Sequence, residues 1–238
     1  MAKRTSDILL SALILLLTAP LLGAAMLLIW AQDRRSPLYR ATRVGLDGHD
    51  FRMAKLRSMV AGAEERGGTS TSRSDVRITP LGRLLRRTKI DELPQFWNVL
   101  RGEMSIVGPR PNTRRGGTDS YTKEELRLLS VPPGITDIAS IVFSDEGEIL
   151  EGADDSDALY DAVIRPWKSR LGLLYVDHRS LAADLGIVCL TAVALLSKPL
   201  ALKGVARLVA RWGANDELRR VCRRRAPLHR ADPPGLAT

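Results

Sequence analysis

The sequence predicts an α+β fold: a compact, mainly helical domain with a small β element, attached to an N-terminal membrane helix. Three observations carry this. From Ile8 through Gln32 there are 25 residues without a formal charge. Leu38-Tyr39-Arg40 and Phe51-Arg52-Met53 read as short strands around an Asp47-Gly48 turn. From Leu81 a helical pattern resumes, and Leu93, Phe96, Trp97 and Leu100 stand at i, i+3, i+4 and i+7.

The apolar run would reach ~37 Å as a straight helix, enough for ~30 Å of hydrocarbon. Three forms fit it. A cleaved signal peptide fits Lys3, Arg4 and Gly23-Ala24-Ala25, but the run continues through Met26-Leu27-Leu28-Ile29-Trp30. A plain spanning anchor fits the length. A re-entrant helix fits Pro20 at mid-segment and the basic residues on both flanks, Lys3 and Arg4 before and Arg34, Arg35, Arg40 and Arg43 after. Bending back at Pro20 keeps both clusters on one side, with Thr18 or water as the partner for the freed carbonyls.

The 238 residues allow one compact domain and a membrane element rather than two independent domains. Aromatics are only 5%, so the core rests on Leu, Val, Ile and Ala. A formal charge of +9 suits an anionic partner: nucleic acid, a phosphate-rich substrate or acidic lipid headgroups. Cys189 and Cys222 lie far apart without metal-ligand spacing, which fits a reduced, cytosolic setting.

Gly62 to Ser74 reads as a mobile loop, Gly102 to Pro111 as a loop, and Asp145 to Asp157 as a solvated acidic loop. Leu185 to Ser197 is uncharged but too short to cross a bilayer. From Leu200 to Trp212 an apolar face (Val205, Leu208, Val209, Trp212) opposes Lys203, Arg207 and Arg211. That pattern fits either a helix in the headgroup region or one packed on the core. An Arg cluster from Arg219 to Arg225 then leads into a tail that composition marks as disordered.

Two clusters can do chemistry. In Arg83-Leu84-Leu85-Arg86-Arg87-Thr88-Lys89-Ile90-Asp91-Glu92-Leu93-Pro94, Thr88 and Asp91 have capping-box spacing, and Pro94 belongs in a first helical turn. Asp91 and Glu92 then sit near a helix N-terminus, where four cations and the dipole lower the repulsion between a carboxylate and a diphosphate. With a divalent metal, such an Asp can attack phosphorus and hold a covalent intermediate. The plain alternative is a capped surface helix with ion pairs. In the second cluster, Gly102 to Pro111, Pro109 and Pro111 fix the backbone around Arg110 and aim its guanidinium, as phosphate recognition requires; a rigid surface turn is the alternative. Asp155-Ser156-Asp157 matches a metal-holding Asp-x-Asp, but no strand precedes it, and it reads as a chance match. His49, His178 and His229 form no constellation, and neither a Walker loop nor Gly-x-Gly-x-x-Gly is present.

The block from Ile90 to Pro111 resembles the bacterial sugar transferases, the monotopic polyprenyl-phosphate phosphoglycosyl transferases. Arg43-Val44-Gly45, Lys55-Leu56-Arg57-Ser58-Met59, Pro133-Gly134-Ile135-Thr136 and Tyr175-Val176 support it. The resemblance runs from about Lys3 to about Lys198, the minimal family unit, with no sign of the extra N-terminal helices of larger members. It implies that Asp91 is the nucleophile that attacks a UDP-sugar, releases UMP and carries the phosphosugar to polyprenyl phosphate. It also implies that Glu92 completes an acidic dyad and that Mg2+ is bound at the site through Asp91. Pro109-Arg110-Pro111 would be the nucleotide-binding turn, with Arg86 and Lys55 near the phosphates. The family often breaks its helix at Ser-Pro, where this chain has Ala19-Pro20. Asp137, Ile138-Ala139-Ser140 and Gly172 also depart from common family residues, in regions that would shape the sugar site.

The expected division is a membrane helix over 1–35, a catalytic domain over 36–198, and a basic amphipathic helix with a disordered tail over 199–238. The expected location is the cytoplasmic face of a bacterial inner membrane. The pathway implied is the first membrane step in making an exopolysaccharide, capsule, O-antigen or glycan. Two rivals were weighed. A membrane-tethered nucleic-acid-binding protein needs aromatic and basic residues interleaved on one surface, whereas these Arg clusters flank apolar faces, so no nucleic-acid partner is expected. A non-catalytic scaffold is opposed by the presence of Asp91, Glu92 and Arg110.

Overall fold

A computed structural model describes residues 2–63, 75–115 and 117–236. Most of the Gly62 to Ser74 loop therefore lies outside the described residues. The first helix, α1 (Ala2–Asp33), is helical throughout, Pro20 included, rather than two helices parted by an irregular turn. The Thr18 hydroxyl donates to the carbonyl of Ile14 at 2.7 Å, one turn back, and not to that of Leu16, which faces the missing Pro20 N–H.

Both ends of α1 are fastened to the same folded unit. At the start, Lys3 reaches the Val107 carbonyl at 3.2 Å and Asp184 at 2.6 Å. Arg4 caps the carbonyls of Val99 and Leu100, and Asp7 accepts from the Ser105 hydroxyl and the Ile106 N–H. At the other end Ala25 and Ile29 pack with Leu56 and Leu85, and Asp33 pairs with Arg57. Between these ends Leu9, Leu13, Leu16, Leu17 and Leu21 are exposed.

The hairpin is β1 (Leu38–Val44) and β2 (Asp50–Leu56), antiparallel with Leu38 opposite Leu56 and Val44 opposite Asp50. Asp47 and Gly48 both take positive φ at its tip, the conformation that the Asp-Gly pair favours. The next helices are α2 (Pro80–Thr88), capped by the Thr79 side chain on the Gly82 N–H, and α3 (Gln95–Arg101). Part of the segment read as a loop is strand β3 (Ser105–Val107), parallel to β4 (Gly134–Thr136). A parallel pair needs a long crossover, and here it carries the Pro109-Arg110-Pro111 turn.

The remaining helices are α4 (Ile138–Val142), α5 (Glu146–Ile149), α6 (Ser156–Leu159), α7 (Arg165–His178), α8 (Leu181–Leu196), α9 (Lys198–Arg211) and α10 (Asp216–Arg223), with a π-helical turn, Tyr160–Ile164, leading into α7. They close around a core that includes Ile138, Ile164, Trp167, Leu171, Ile187 and Val205. Asp145 to Asp157 is thus not a solvated loop: Asp145 pairs with Lys198 and Arg224, and Asp155 caps α6.

The apolar face of α9 is covered by the core, with Ala201, Val205 and Val209 fully buried, so of its two possible roles the packed one holds. The C-terminal segment, read as disordered from composition, lies against the domain instead. The Ala231 N–H donates to the Ala162 carbonyl, the Thr122 hydroxyl to that of Pro234, and the Trp167 indole to that of His229. Backbone carbonyls supply these bonds, which composition does not reveal.

Candidate active site

The site forms where β2, the turn before α3 and the crossover after β3 meet. Lys89 ends α2 in the left-handed region, at φ 59° and ψ 14°, and the chain re-enters a tight turn at Ile90–Glu92. A non-glycine residue there is uncommon and is held by its surroundings. The expected capping box does not form. Thr88 is the last residue of α2, and its hydroxyl is taken by the carbonyls of Leu84 and Leu85.

Leu93 and Pro94 keep helical angles, so Asp91, Gln95 and Asn98 follow one another along one face. That face is the buried one. Of the apolar stripe, Trp97 is 57% exposed, while Leu93, Phe96 and Leu100 are half-buried, Phe96 against the core. Asn98 fixes the polar side of this face: its amide donates to the Arg52 carbonyl and to Glu103, and its oxygen accepts from the Ala54 N–H. These bonds lock β2 against α3 and set Lys55, the next residue, opposite Glu92.

The Glu92 carboxylate lies between two cations. Lys55 Nζ is 3.3 Å from Oε1, Arg110 Nη2 is 2.5 Å from the same oxygen, and Arg110 Nη1 is 3.4 Å from Oε2. Burial pushes the Glu92 pKa up, but Arg110 and Lys55 outweigh it and hold the group well below the usual carboxylate range. Glu92 in turn holds Arg110 firmly protonated against the cost of burial. Burial, then the nearby Arg110 charge, lowers the Lys55 pKa.

Asp91 differs from its neighbour. It is only 6% exposed, and its Oδ1 is buried without a hydrogen-bond partner in the protein. Burial and the Glu92 charge raise its pKa, opposed by Lys55, Lys89 and Arg86. Arg86 is held by the Ser58 hydroxyl at 2.8 Å. A Cβ on Gly82 would meet the Ser58 carbonyl at 1.8 Å, so glycine lets α2 seat Arg86 this close.

The turn bearing Arg110 is set by backbone contact. The Gly134 N–H donates to the Pro109 carbonyl at 3.0 Å, and a Cβ on Gly134 would lie 2.1 Å from the Gly108 nitrogen. Gly172 on α7 packs toward the same turn, its ideal Cβ 3.8 Å from Pro109.

The sequence-derived residues Lys55, Asp91, Glu92 and Arg110 thus converge, with Arg86 acting on Asp91 through its charge and Pro109 and Pro111 flanking Arg110. Asp155 and Asp157 serve α6. Gln95 was missed: it is 0% exposed, and neither amide atom has a protein partner. Its position four residues after Asp91 in a helical stretch was the available signal. Among the described residues no three His, Cys, Asp or Glu side chains form a metal-binding group. The unpartnered Asp91 oxygen fits an Mg2+ held by one carboxylate, with phosphate and water as its other ligands. A cleft of about 470 Å³ lies instead near the hairpin tip, between Asp47, Arg114, Thr118 and Leu129.

An α+β domain with a long apolar N-terminal helix and an acidic pair held beside Arg and Lys has the charge pattern of a class that handles phosphate groups. The chain belongs to the bacterial sugar transferase family, whose model matches residues 1–198. It is 36% identical over 200 residues to a UDP-glucose:undecaprenyl-phosphate glucose-1-phosphate transferase of Caulobacter vibrioides, covering 82% of this chain and 70% of that protein. It is 40% identical over 195 residues to an undecaprenyl-phosphate glucose phosphotransferase of Komagataeibacter xylinus, covering 79% and 35%. Over 141 residues it is 42% identical to a UDP-glucose:undecaprenyl-phosphate glucose-1-phosphate transferase of Escherichia coli K12, covering 58% and 30%. The chain spans about a third of the length of several of these relatives.

Proposed function

We propose that the protein transfers a sugar 1-phosphate from a UDP-sugar to a polyprenyl phosphate, such as undecaprenyl phosphate, through a covalent Asp91 intermediate. The observation that carries this is the division of labour in the dyad: Glu92 is tied up by Lys55 and Arg110, whereas Asp91 keeps an oxygen unpartnered beneath Arg86 and Lys89. A carboxylate oxygen of Asp91 attacks the sugar-bearing phosphorus, the bond to the UMP oxygen breaks, and UMP leaves with that electron pair. The lipid phosphate oxygen then attacks the same phosphorus, and the Asp91 carboxylate is released unchanged. Each step exchanges one anhydride of phosphoric acid for another, diphosphate for acyl phosphate and then acyl phosphate for diphosphate, so positioning and charge neutralisation supply the catalysis. Asp91 would hold Mg2+, which when bound offsets the diphosphate charge. Arg110 and Lys55 keep Glu92 ionised and screen it from the phosphates.

The domain sits on the cytoplasmic face of the inner membrane, with α1 entering the inner leaflet and returning. Support comes from the two fastened ends of α1. Lys3, Arg4 and Asp7 at one end and Ile29 and Asp33 at the other reach one domain, which lies on one side of the bilayer. Trp97, Leu185, Leu196 and Leu200 are exposed as well, as α1's own leucines are. Residues 36–198 are the catalytic domain, with α9 and α10 packed against it. The reaction begins the assembly of a surface polysaccharide or glycan.

Detergent-solubilised protein, Mg2+ and polyprenyl phosphate should release UMP from a UDP-sugar, and Asp91→Asn should abolish that release. Wild-type turnover by the variant would end the nucleophile assignment.

A further inference from the structure

Beyond the dyad, the charges of Asp137 and Glu146 also act on Arg110, more weakly than that of Glu92. Asp137 is spent on capping α4, through the Ser140 N–H. Glu146 is ion-paired with Lys168, whose ammonium also lies 5.2 Å from the centre of the Tyr160 ring. Lys168 stands one turn before Gly172, the residue through which α7 meets Pro109, so the pair borders the Arg110 turn. Tyr160 opens the π-helical turn before α7, a feature that recurs at functional sites. Lys55 and Arg110 hold Glu92, and Lys168 holds Glu146 in the same way.

We propose that Glu146, Lys168 and Tyr160 form the wall that reads the sugar hydroxyls of the UDP-sugar. This rests on the function proposed above. Phosphates call for cations in excess, and these stand around Asp91. Lys168 is neutralised by its own carboxylate, so the pair offers donors and an acceptor without net charge, which suits a neutral polyol. Hydroxyls lying against it would find a carboxylate to donate to and an ammonium or phenol to accept from. The three residues fall in the stretch after β4 where this chain departs from common family residues.

The test uses full-length protein in detergent with Lys168→Met, Glu146→Gln and Tyr160→Phe, a panel of UDP-sugars, and UDP as an inhibitor without a sugar. For the best UDP-sugar, kcat/KM for UMP release should fall roughly tenfold or more in the first two variants, with UDP inhibition unchanged within about twofold. Tyr160→Phe removes one hydroxyl and keeps the packing, so it should fold and reorder the preference among UDP-sugars. UDP inhibition that weakens in step with kcat/KM would assign the pair to the nucleotide and overturn the proposal. So would an unchanged ranking in Tyr160→Phe. A wild-type protein that releases UMP from no UDP-sugar would instead bring down the underlying function.

Discussion

Arg110 grips Glu92 with both terminal nitrogens, at 2.5 Å and 3.4 Å, while Lys55 takes a share of one of the same oxygens at 3.3 Å. Two cations on one carboxylate leave the second acid, Asp91, as the free member of the dyad. The two-nitrogen grip depends on a planar guanidinium. Arg110→Lys should keep the charge and lose the geometry, lowering kcat/KM for UMP release by about 10- to 100-fold. Steady-state kinetics against Arg110→Ala, expected to be worse, checks this.

Asp91 carries a cost that Glu92 does not. Its pKa in the folded protein is raised, so ionising it opposes folding once pH rises above its unfolded value of 3.8. In a metal-chelating buffer, Asp91→Asn should therefore melt higher than wild type at neutral pH. The gap should close as pH falls below that value, where both forms are neutral. Paired thermal scans across pH test it, and a variant that melts lower at neutral pH contradicts it.

Glu92 has the opposite sign. Arg110 and Lys55 hold its folded pKa below the ordinary 4.5, so its contribution is present above that pH and lost as pH falls through the depressed value. Glu92→Gln should lower the melting temperature at neutral pH, with the deficit shrinking in acid. Denaturation at two pH values separates the cases.

Behind the site, Arg165 is bound to buried Glu125 and to the Ser120 carbonyl, and Glu125 also accepts from Ser169. Arg165→Met strands a buried carboxylate and should cost about 3–5 kcal/mol. Arg165→Met with Glu125→Gln should recover a large part of the loss. Chemical denaturation of the single and double variants measures this.

The course of α1 gives a topological prediction. A cysteine at residue 2 and one at residue 35, each in a background lacking Cys189 and Cys222, should both resist a membrane-impermeant reagent applied to intact cells. Labelling of the first alone would mean that the helix spans the membrane.

Some of this molecule is legible in one dimension. The hairpin is local, set by Asp47-Gly48 between short strands, and the α1 run is long enough to announce itself. The block from Ile90 to Pro111 offered Asp91, Glu92 and Arg110 as candidates because acidic pair and turn are close in sequence. Other features depend on what comes alongside. Leu93, Phe96, Trp97 and Leu100 looked like a buried face, yet Trp97 is exposed, and Asp91, Gln95 and Asn98 go inward. The α9 pattern was equally good for lipid or core, and the arrival of α8 and α4 decided it.

The sequence alone pointed to the hairpin, the long apolar helix and the candidates Asp91, Glu92 and Arg110, since periodicity and motif spacing are properties of neighbouring residues. Tertiary structure decided which acid is free, which face is buried, and that both ends of α1 return to one domain. Those outcomes depend on partners far along the chain: Lys55 and Arg110 on Glu92, Asp184 on Lys3, and Arg57 on Asp33.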